Sequence, residues 1–450
     1  MTSYRKFIHN SFFLQRSSTF VVAICINFSV VACQARVENL SISKSDPSVR
    51  SMSSKATVIS SSINDPDTPD TVKIVSGMPM TGATVEETQS ILLAIKQAIE
   101  EHQTVCNGKL KIKYEMLDDA DTKTGEWEDA AQVTLNAKKV VEDKQVVAFL
   151  GPYASSSAKL TIPILNNANL VLVSPSNTYP GLTKPNKEGK QEGDEPNIYY
   201  PNRKRNYARV VPADDVQGET AAKWAEHLGF RKVYVLHDQG LYGKGLADVF
   251  ARTARKNHLE VIETEGIDPK STDYTVLMQK IKEKSPDLIY FGGTTQQNNA
   301  GQLIKDMRKV GMTKDRFHFM GGDGIFKQSF IDDAGSENAE GVYATGGIPV
   351  NRLTGKGADW YKSYKAKYRS EPETFAAYGY ESAMVVIKAI DKVCKRDRAA
   401  IRDAVFSTRN FDGILEEWSF DQYGDTTSTK ISGNMVKDGR FQFQAFLDKK

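Results

Sequence analysis

Three consecutive serines, Ser155, Ser156 and Ser157, follow a hydrophobic run in the stretch GPYASSSAKLTIPI. The preceding VVAFL predicts a strand, and the spacing of the following residues predicts a helix, so the serines should lie where that helix begins. The free N–H groups of a helix N-terminus, together with the serine hydroxyls, form a site for an anion such as a carboxylate. The structural alternative is that one serine only caps the helix, because serine is a favoured N-cap residue.

A catalytic serine would need a base within reach and a third group that orients the base. The stretch LHD supplies His237 and Asp238, but adjacent residues on a strand point to opposite faces. The chain also has no Gly-x-Ser-x-Gly elbow, the strained turn that exposes a nucleophilic serine in many hydrolases. We therefore expect the serines to bind a ligand rather than to react with it, and we expect no enzyme.

Polar residues follow two further apolar runs. VSPSNTYP places Ser176, Asn177 and Thr178 after LVLV, and MGGDG places Asp323 after FHFM. Ligands of open parallel sheets gather beyond the carboxyl ends of the strands, so these residues should face a cleft. Ser176 and Thr178 could donate to the same anion, or could merely build a turn. Asp323 could pair with an ammonium group, or could satisfy its local backbone.

Short β-branched runs alternate with helical patterns from Val72 onward. VKIVS is followed by EETQSILLAIKQAIEEH, in which Ile91, Ile95 and Ile99 recur at helix spacing. Such alternation predicts an α/β fold with parallel sheets covered by helices on both faces. This alternation of strands and helices occurs twice along the chain, with a division near Pro212, which predicts two doubly wound lobes. Between them, residues 183–207 are rich in Pro, Gly and charge and predict a surface loop.

The bulk composition sets the class of protein. The chain has 450 residues, of which 40% are apolar, which predicts a soluble globular protein of more than one domain. Its formal charge is +3, and Arg5, Lys6 and Arg16 near the N-terminus account for all of it. The remainder is neutral, so it lacks the basic surface that nucleic-acid binding requires, and no nucleic acid is expected as a partner.

The N-terminal residues resemble an export signal. The three basic residues precede TFVVAICINFSVVAC, which is too short and too interrupted to span a membrane. This run ends in Val30, Val31, Ala32 and Cys33, which resembles the lipobox of bacterial lipoproteins. The resemblance implies that a signal peptide, residues 1–32, is cleaved and that Cys33 carries a lipid. The alternative is a plain signal peptide that happens to end at a cysteine.

The predicted export also bears on whether the cysteines form a disulfide. Residues 33–70 are rich in serine and predict a solvated linker behind the anchor. Disulfides persist outside the cytoplasm, so Cys106 and Cys394, the two cysteines of the body, are predicted to pair, with two separate thiols as the alternative. No metal site is expected, because the six histidines show no ligand spacing and no Cys-x-x-Cys occurs.

Seven stretches together resemble a known family, although each is weak alone. They are GMPMTG, VVAFLGPYASSSA, LVSPSNTYPGLT, HDQGLYGKGLAD, DLIYFGG, FMGGDGI and AEGVYATG. In this order and spacing they resemble the substrate-binding proteins of bacterial branched-chain amino acid ABC transporters, the leucine/isoleucine/valine-binding type. The resemblance runs from about Val72 to the C-terminus.

The resemblance implies a type I periplasmic binding protein, in which two Rossmann-like lobes joined by three crossovers close on a ligand. The first lobe would comprise residues 71–212 and 346–413, and the second lobe residues 213–345 and 414–450. The implied function is capture of an amino acid or related amide and its delivery to the permease subunits of an ABC transporter. The protein would use no cofactor and would be held outside the cell membrane by its lipid.

The family's ligand residues carry over by position. The positions that bind the ligand's carboxylate in the family correspond here to Ser155, the backbone of Ser176, and Thr178. The acid that binds the ligand's α-ammonium group corresponds to Asp323. Tyr242 matches a ring that closes over the ligand, although packing at a helix start would explain it equally well. The full ligand-binding set that we predict is Ser155, Ser156, Ser176, Asn177, Thr178, Tyr242, Thr294 and Asp323.

Two departures from the family pattern affect the ligand. Asp323 is shorter than the glutamate of the leucine-binding type, and Thr294 stands where that type carries an aromatic residue. Thr294 and the Thr-Gln-Gln that follows it make this wall too polar for a branched aliphatic side chain, so leucine itself is doubtful. The alternatives are a ligand-sensing module of a receptor and a secreted hydrolase. A nucleotide-dependent oxidoreductase is disfavoured, because no strand precedes a Gly-x-Gly-x-x-Gly motif.

Overall fold

The computed structural model describes residues 70–124, 128–185, 194–295 and 300–447. The predicted signal peptide and Cys33, with the linker up to residue 69, lie outside the described residues. In the part of the chain that the structure describes, no helix is long and apolar enough to cross a membrane.

Strands and helices alternate along the described residues. The strands are β1 Asp70–Met78, β2 Thr104–Val105, β3 Leu110–Asp118, β4 Val146–Leu150, β5 Val171–Ser174, β6 Tyr207–Arg209, β7 Lys232–His237, β8 Glu260–Gly266, β9 Leu288–Gly292, β10 His318–Gly321, β11 Tyr343–Gly346, β12 Phe411–Asp412, β13 Glu417–Trp418, β14 Ile431–Lys437 and β15 Arg440–Leu447. The helices are α1 Val85–Glu101, α2 Ala130–Glu142, α3 Ser155–Asn167, α4 Asp214–His227, α5 Leu241–Lys256, α6 Thr275–Lys284, α7 Ala300–Lys309, α8 Gln328–Ala334, α9 Ser336–Ala339, α10 Lys356–Tyr368, α11 Thr374–Val393 and α12 Arg398–Phe406.

Two sheets form the centres of two lobes. The first sheet has the order β2-β3-β1-β4-β5-β6 and is parallel except for β2. The second has the order β15-β14-β11-β10-β9-β7-β8, in which β14 and β15 are antiparallel additions at one edge. Central strands such as β4 are buried along their whole length, because helices cover both faces. The predicted α/β class with two doubly wound lobes is confirmed.

The cores form from the residues whose spacing predicted the elements. Ile91, Ile95 and Ile99 of α1 are all buried in the first lobe, where α1 packs along α11. In the second lobe, Phe250 of α5 stacks on Tyr290 of β9 with 3.6 Å between ring centroids. Each lobe therefore has a hydrophobic core of its own, which allows the two to move as separate bodies.

The chain crosses between the lobes three times, after β6, after β11 and after β13. The two sheets thereby take strands from distant parts of the sequence, as the resemblance implied. Ile414, Leu415, Trp418 and Phe420 pack in the core of the first lobe. The third crossover consequently lies several residues beyond position 413, the boundary predicted from the sequence.

Residues 194–207 are packed more tightly than the predicted surface loop. Tyr199 and Tyr200 are buried against the first lobe. The Tyr199 hydroxyl donates to the buried Glu195 carboxylate, which also accepts from the Tyr179 hydroxyl at 2.8 Å. The expectation of a solvated loop is wrong for this part, because tyrosine hydroxyls satisfy an acid that composition alone marks as exposed.

The Cys106 and Cys394 side chains lie together in the first lobe. Their Cα atoms are 5.5 Å apart, within the usual range for a disulfide, and the structure joins their sulfurs. The bond ties the end of α11 to the turn after β2, and the Cys106 N–H also donates to the Asp391 carboxylate at 2.6 Å. The structure thus contains the predicted pairing of Cys106 with Cys394.

Candidate ligand-binding site

A cavity of about 250 Å³ lies between the two lobes, beyond the carboxyl ends of the strands. It is smaller than the roughly 300–1,000 Å³ of sites for drug-sized ligands, so it suits a ligand the size of one amino acid. Both lobes supply its lining, which consists of Glu128, Tyr153, Ala154, Ser155, Ser156, Ser176, Thr178, Asp238, Gly240, Leu241, Tyr242, Gly243, Pro269, Thr294, Asp323, Gly324, Lys327 and Phe375. Every predicted ligand residue except Asn177 is among these.

The serine helix begins where the sequence places it. Its first residue is Ser155, and the preceding Ala154 has no side-chain oxygen, so the idea that a serine caps the helix is wrong. The Ser155 hydroxyl accepts from the Tyr179 N–H at 3.3 Å. The hydroxyls of Ser156 and Ser157 both donate to the Glu128 carboxylate, the second at 3.0 Å. Backbone N–H groups at a helix N-terminus thereby border the cavity.

The second loop is held together largely by its own hydrogen bonds. The Ser174 hydroxyl accepts from the N–H groups of Ser176 and Asn177, at 3.2 and 2.9 Å. The Ser176 amide, which the family pattern assigns to the ligand carboxylate, is therefore engaged within the loop. The Asn177 side chain is fully buried and donates to the carbonyls of Pro152 and Tyr153 at 2.9 and 2.7 Å. Asn177 thus holds the two loops together, which is a supporting position rather than the ligand contact that we predicted.

A buried arginine fixes the backbone on either side of Thr178. Arg209 is fully buried at the end of β6, and its guanidinium donates to the carbonyls of Asn177 and Tyr179 at 3.1 and 2.9 Å. Its Nε atom lies 2.7 Å from the Asp425 carboxylate, which is also buried. The charge of Arg209 is thereby balanced inside the protein. Its bonds to the two carbonyls hold the loop from which Thr178 faces the cavity.

Asp323 lines the cavity from the second lobe. One of its carboxylate oxygens accepts from the Tyr242 hydroxyl at 2.7 Å and from the Gln217 amide at 2.6 Å. The Tyr242 hydroxyl in turn accepts from the Gly324 N–H at 3.0 Å. Burial raises the pKa of Asp323 above its ordinary value, although the bonds from Tyr242 and Gln217 oppose the rise. A cation beside this carboxylate would favour its ionised form and so oppose the rise in pKa.

Asp214 links Asp323 to the first lobe. Its carboxylate shares the Gln217 amide with Asp323, at 3.1 Å, and its backbone N–H donates to the Thr178 carbonyl at 2.8 Å. Burial, and after it the negative charge of Asp323, raise the pKa of Asp214 well above its ordinary value. Asp323 and Thr178, which line the cavity from opposite lobes, are thus linked through one residue at the first crossover.

Two more carboxylates line the cavity. Asp238, at the end of β7, accepts from the Gly240 N–H at 2.8 Å, whereas its neighbour His237 is not part of the lining. This separation argues against the His-Asp pair of a serine hydrolase. Glu128 lies two residues before α2, and no motif in the sequence marked it as a cavity residue.

The chain matches a known protein family over most of its length. Residues 71–439 match the profile of the periplasmic binding protein family, which covers well over half of the chain. The chain belongs to that family. A relative from Pseudomonas aeruginosa named amino acid binding protein is 29% identical over 376 residues, or 82% of this chain and 89% of the relative. Family membership places this binding protein outside the cytoplasm.

Solved structures share the fold at lower identity. A leucine binding protein, LivK, from Thermotoga maritima has a TM-score of 0.72 at 24% identity, covering 84% of this chain and 99% of its own. A solute binding protein from Rhodopseudomonas palustris in complex with 3,4-dihydroxybenzoic acid has a TM-score of 0.68 at 19% identity, covering 84% and 98%. The same fold therefore holds ligands of different chemistry, and only the side chains of this periplasmic binding protein can decide its own.

An ion pair joins the two lobes of this binding protein at the cavity wall. Lys327 of the second lobe lies 2.7 Å from the carboxylate of Glu87 on α1, and both side chains are less than 10% exposed. The Tyr153 hydroxyl donates to the same Glu87 oxygen at 2.5 Å. Since Glu87 and Lys327 are 240 residues apart, no local pattern could have revealed the contact. A movement that separated the lobes at this point would break the pair.

We expect Lys327→Met to weaken closure. It would leave the Glu87 carboxylate buried without its cation, and breaking such a pair typically costs about 3–5 kcal/mol, of which Tyr153 recovers part. The dissociation constant of the ligand should rise about ten-fold, and small-angle scattering should show a larger radius of gyration at subsaturating ligand. Lys244→Met is the matched control, because Lys244 pairs with Asp248 on an exposed surface. Equal effects of the two substitutions would contradict the prediction.

Proposed function

We propose that this chain is a solute-binding lipoprotein that captures an amino acid between its lobes and delivers it to the permease subunits of an ABC transporter. One observation carries the proposal. Hydrogen-bond donors of the first lobe, Thr178 and the N-terminus of α3, face the same cavity as Asp323 of the second lobe. This arrangement suits a molecule with a carboxylate at one end and an ammonium group beside it, as in every α-amino acid.

Closure follows from the division of these groups between the lobes. The carboxylate of the ligand can first engage the serine helix and Thr178 while the lobes are apart. Asp323 and Tyr242 then reach the ammonium group only when the second lobe swings in. Because the bound ligand interacts more strongly with the closed form, it shifts the population toward that form. The closed shape is what the transporter subunits would recognise, and no chemical step is required of the site.

Calorimetric titration of the purified protein with single amino acids tests the proposal. We expect at least one amino acid to bind with a stoichiometry of one per chain, and we expect its N-acetyl derivative to bind far more weakly because it lacks the ammonium group. Binding of a simple aromatic acid such as benzoate, with no response to any amino acid, would refute the assignment.

We also propose that a lipid on Cys33 anchors the protein outside the membrane after residues 1–32 are removed. Cys33→Ala should abolish labelling of the protein by radioactive palmitate in growing cells, and should shift the protein from the membrane fraction to the soluble fraction. Cys25→Ala, in the predicted signal peptide, is the matched control and should leave labelling unchanged. Labelling that survives Cys33→Ala would remove the lipid from the proposal.

A further inference from the structure

Two buried acids share one amide group at the first crossover. The Gln217 Nε2 atom donates to the fully buried Asp214 at 3.1 Å and to Asp323 of the cavity lining at 2.6 Å. We infer that Asp214 is a positioning residue that carries a proton, so that Asp323 is the member of the pair that becomes charged and the Thr178 hydroxyl keeps its hydrogen for the ligand. This inference rests on the proposed amino-acid function and adds to it a residue outside the cavity lining.

The orientation of the Gln217 amide is fixed by its own partners. Its Oε1 atom accepts from the Asp323 N–H at 3.1 Å and from the Thr345 hydroxyl at 3.2 Å. The amide nitrogen therefore faces the two acids and supplies one hydrogen to each. The amide brings no positive charge, so two ionised carboxylates on either side of it would repel one another.

No ion pair involves Asp214 among the residues that the structure describes. Arg209 is the basic side chain that acts on it, but the Arg209 guanidinium is committed to the Asp425 carboxylate and to two backbone carbonyls. Glu87, which acts on the other acid of the pair, is matched by Lys327. A carboxylate that is removed from water without a paired cation generally takes up a proton.

Asp214 is the better place for that proton. Asp323 accepts from both the Tyr242 hydroxyl and the Gln217 amide, which favour its ionised form. The N-terminus of α4 favours negative charge, but no N–H of that helix donates to the Asp214 side chain, whose donor is Gln217. Burial, and after it the two acids, raise the pKa of Tyr242 and of Tyr290 above the ordinary value, so these neighbours are neutral.

The proton matters because Asp214 lies beside Thr178. The Asp214 N–H donates to the Thr178 carbonyl at 2.8 Å, and the Thr178 side chain also acts on the Asp214 carboxyl through hydrogen bonding. A hydroxyl has one hydrogen to give. An ionised Asp214 would take that hydrogen, whereas a protonated Asp214 donates its own and leaves the Thr178 hydrogen for the ligand's carboxylate. The second Asp214 oxygen is the atom for the proton, because it is buried and no described protein group lies within hydrogen-bond distance of it.

Infrared spectroscopy of the full chain detects this proton without any ligand. The carbonyl stretch of a protonated carboxylic acid is separate from the bands of carboxylates and of the peptide amides. We expect such a band at about pH 7, where an ordinary aspartate with a pKa of about 3.9 is ionised. Part of its intensity should be lost in Asp214→Asn. A band that this substitution leaves unchanged would overturn the inference.

Calorimetry tests the positioning, with the amino acid that binds most tightly in the titration of single amino acids. In Asp214→Asn the new amide can still accept from Gln217 and donate to Thr178, so the dissociation constant should stay within about three-fold. Asp214→Leu can do neither, and the constant should rise at least about ten-fold, the size expected when a hydrogen bond to a charged ligand is impaired. In a Thr178→Val background the effect of Asp214→Leu should be at least about three-fold smaller, because the hydroxyl is already absent.

The outcomes separate this inference from the proposed function. A loss of affinity in Asp214→Asn as large as in Asp214→Leu would show that Asp214 acts through its negative charge, and would overturn the inference while amino-acid binding stands. Equal effects of Asp214→Leu with and without the Thr178 hydroxyl would overturn the link to Thr178. If the unaltered protein bound no amino acid, the proposed function would fail, whereas the infrared band would still decide whether Asp214 carries a proton. A leucine variant that fails to fold leaves the infrared measurement and Asp214→Asn as tests.

Discussion

Asp323→Asn should weaken binding of the best amino-acid ligand by about 10- to 100-fold. The asparagine oxygen can still accept from Tyr242 and Gln217, so the shape of the site is kept while the negative charge is lost. Hydrogen bonds to charged groups contribute roughly 1.5–3 kcal/mol, and each 1.4 kcal/mol is about ten-fold in the dissociation constant. Calorimetry measures this change directly.

The pH dependence of binding should identify the same residue. Burial raises the pKa of Asp323, so in the empty site its carboxyl group takes up a proton at a higher pH than an ordinary aspartate does. The ligand's ammonium group favours the ionised form, so binding releases this proton, and affinity rises with pH and falls as pH drops through the raised pKa. We expect this decline in the unaltered protein at a pH above the ordinary aspartate pKa of about 3.9, and we expect its loss in Asp323→Asn.

Asp248→Asn is the matched control for both measurements, because Asp248 pairs with Lys244 on the exposed face of α5. It should change neither the affinity nor its pH dependence. If Asp323→Asn bound as tightly as this control, the ammonium group would have to lie elsewhere in the cavity.

Asp425→Asn should lower the free energy of unfolding by about 3–5 kcal/mol, because it leaves the Arg209 guanidinium buried without a counter-charge. Lys184 also lies 2.8 Å from the Asp425 carboxylate. Urea denaturation followed by circular dichroism measures the change. Since Arg209 also holds the carbonyls beside Thr178, the substitution should weaken ligand binding as well.

The same pair gives a pH prediction. Burial alone would raise the pKa of Asp425, but Arg209 and Lys184 hold it below its ordinary value. A depressed pKa means that the stabilisation is present above the pKa of the unfolded chain, about 3.9, and is lost as the pH falls below it. Asp412→Asn is the control, since Asp412 pairs with Lys356 at the exposed surface and should cost less than about 1 kcal/mol. Similar losses of unfolding free energy in Asp425→Asn and Asp412→Asn would contradict the role of the buried pair.

The sequence predicted well where local pattern and burial agree. VVAFL forms β4, the serines begin α3, and Ile91, Ile95 and Ile99 are buried, because the period of apolar residues directly reflects which face meets the core. The prediction of two lobes succeeded for the same reason, since alternating strands and helices can bury their apolar faces only as covered parallel sheets.

The sequence was less informative about the residues that support the site. Asn177 stands between two predicted ligand residues, yet its side chain points into the protein and holds the carbonyls of Pro152 and Tyr153. The Ser176 amide bonds within its own loop. Residue type alone indicates that a group can hydrogen-bond, but the direction of the bond depends on loop geometry that a pattern does not encode.

What the sequence by itself determined is the list of elements, the ends of the strands where polar groups collect, and seven of the residues that border the cavity. Only the tertiary structure decided which partners balance the charges in and around the cavity. It brought Lys327 to Glu87, Arg209 to Asp425 and Glu128 to the serine helix, across separations that range from 28 to 240 residues. Charges act through space and not along the chain, so the electrostatic character of the cavity emerges only when the lobes have folded.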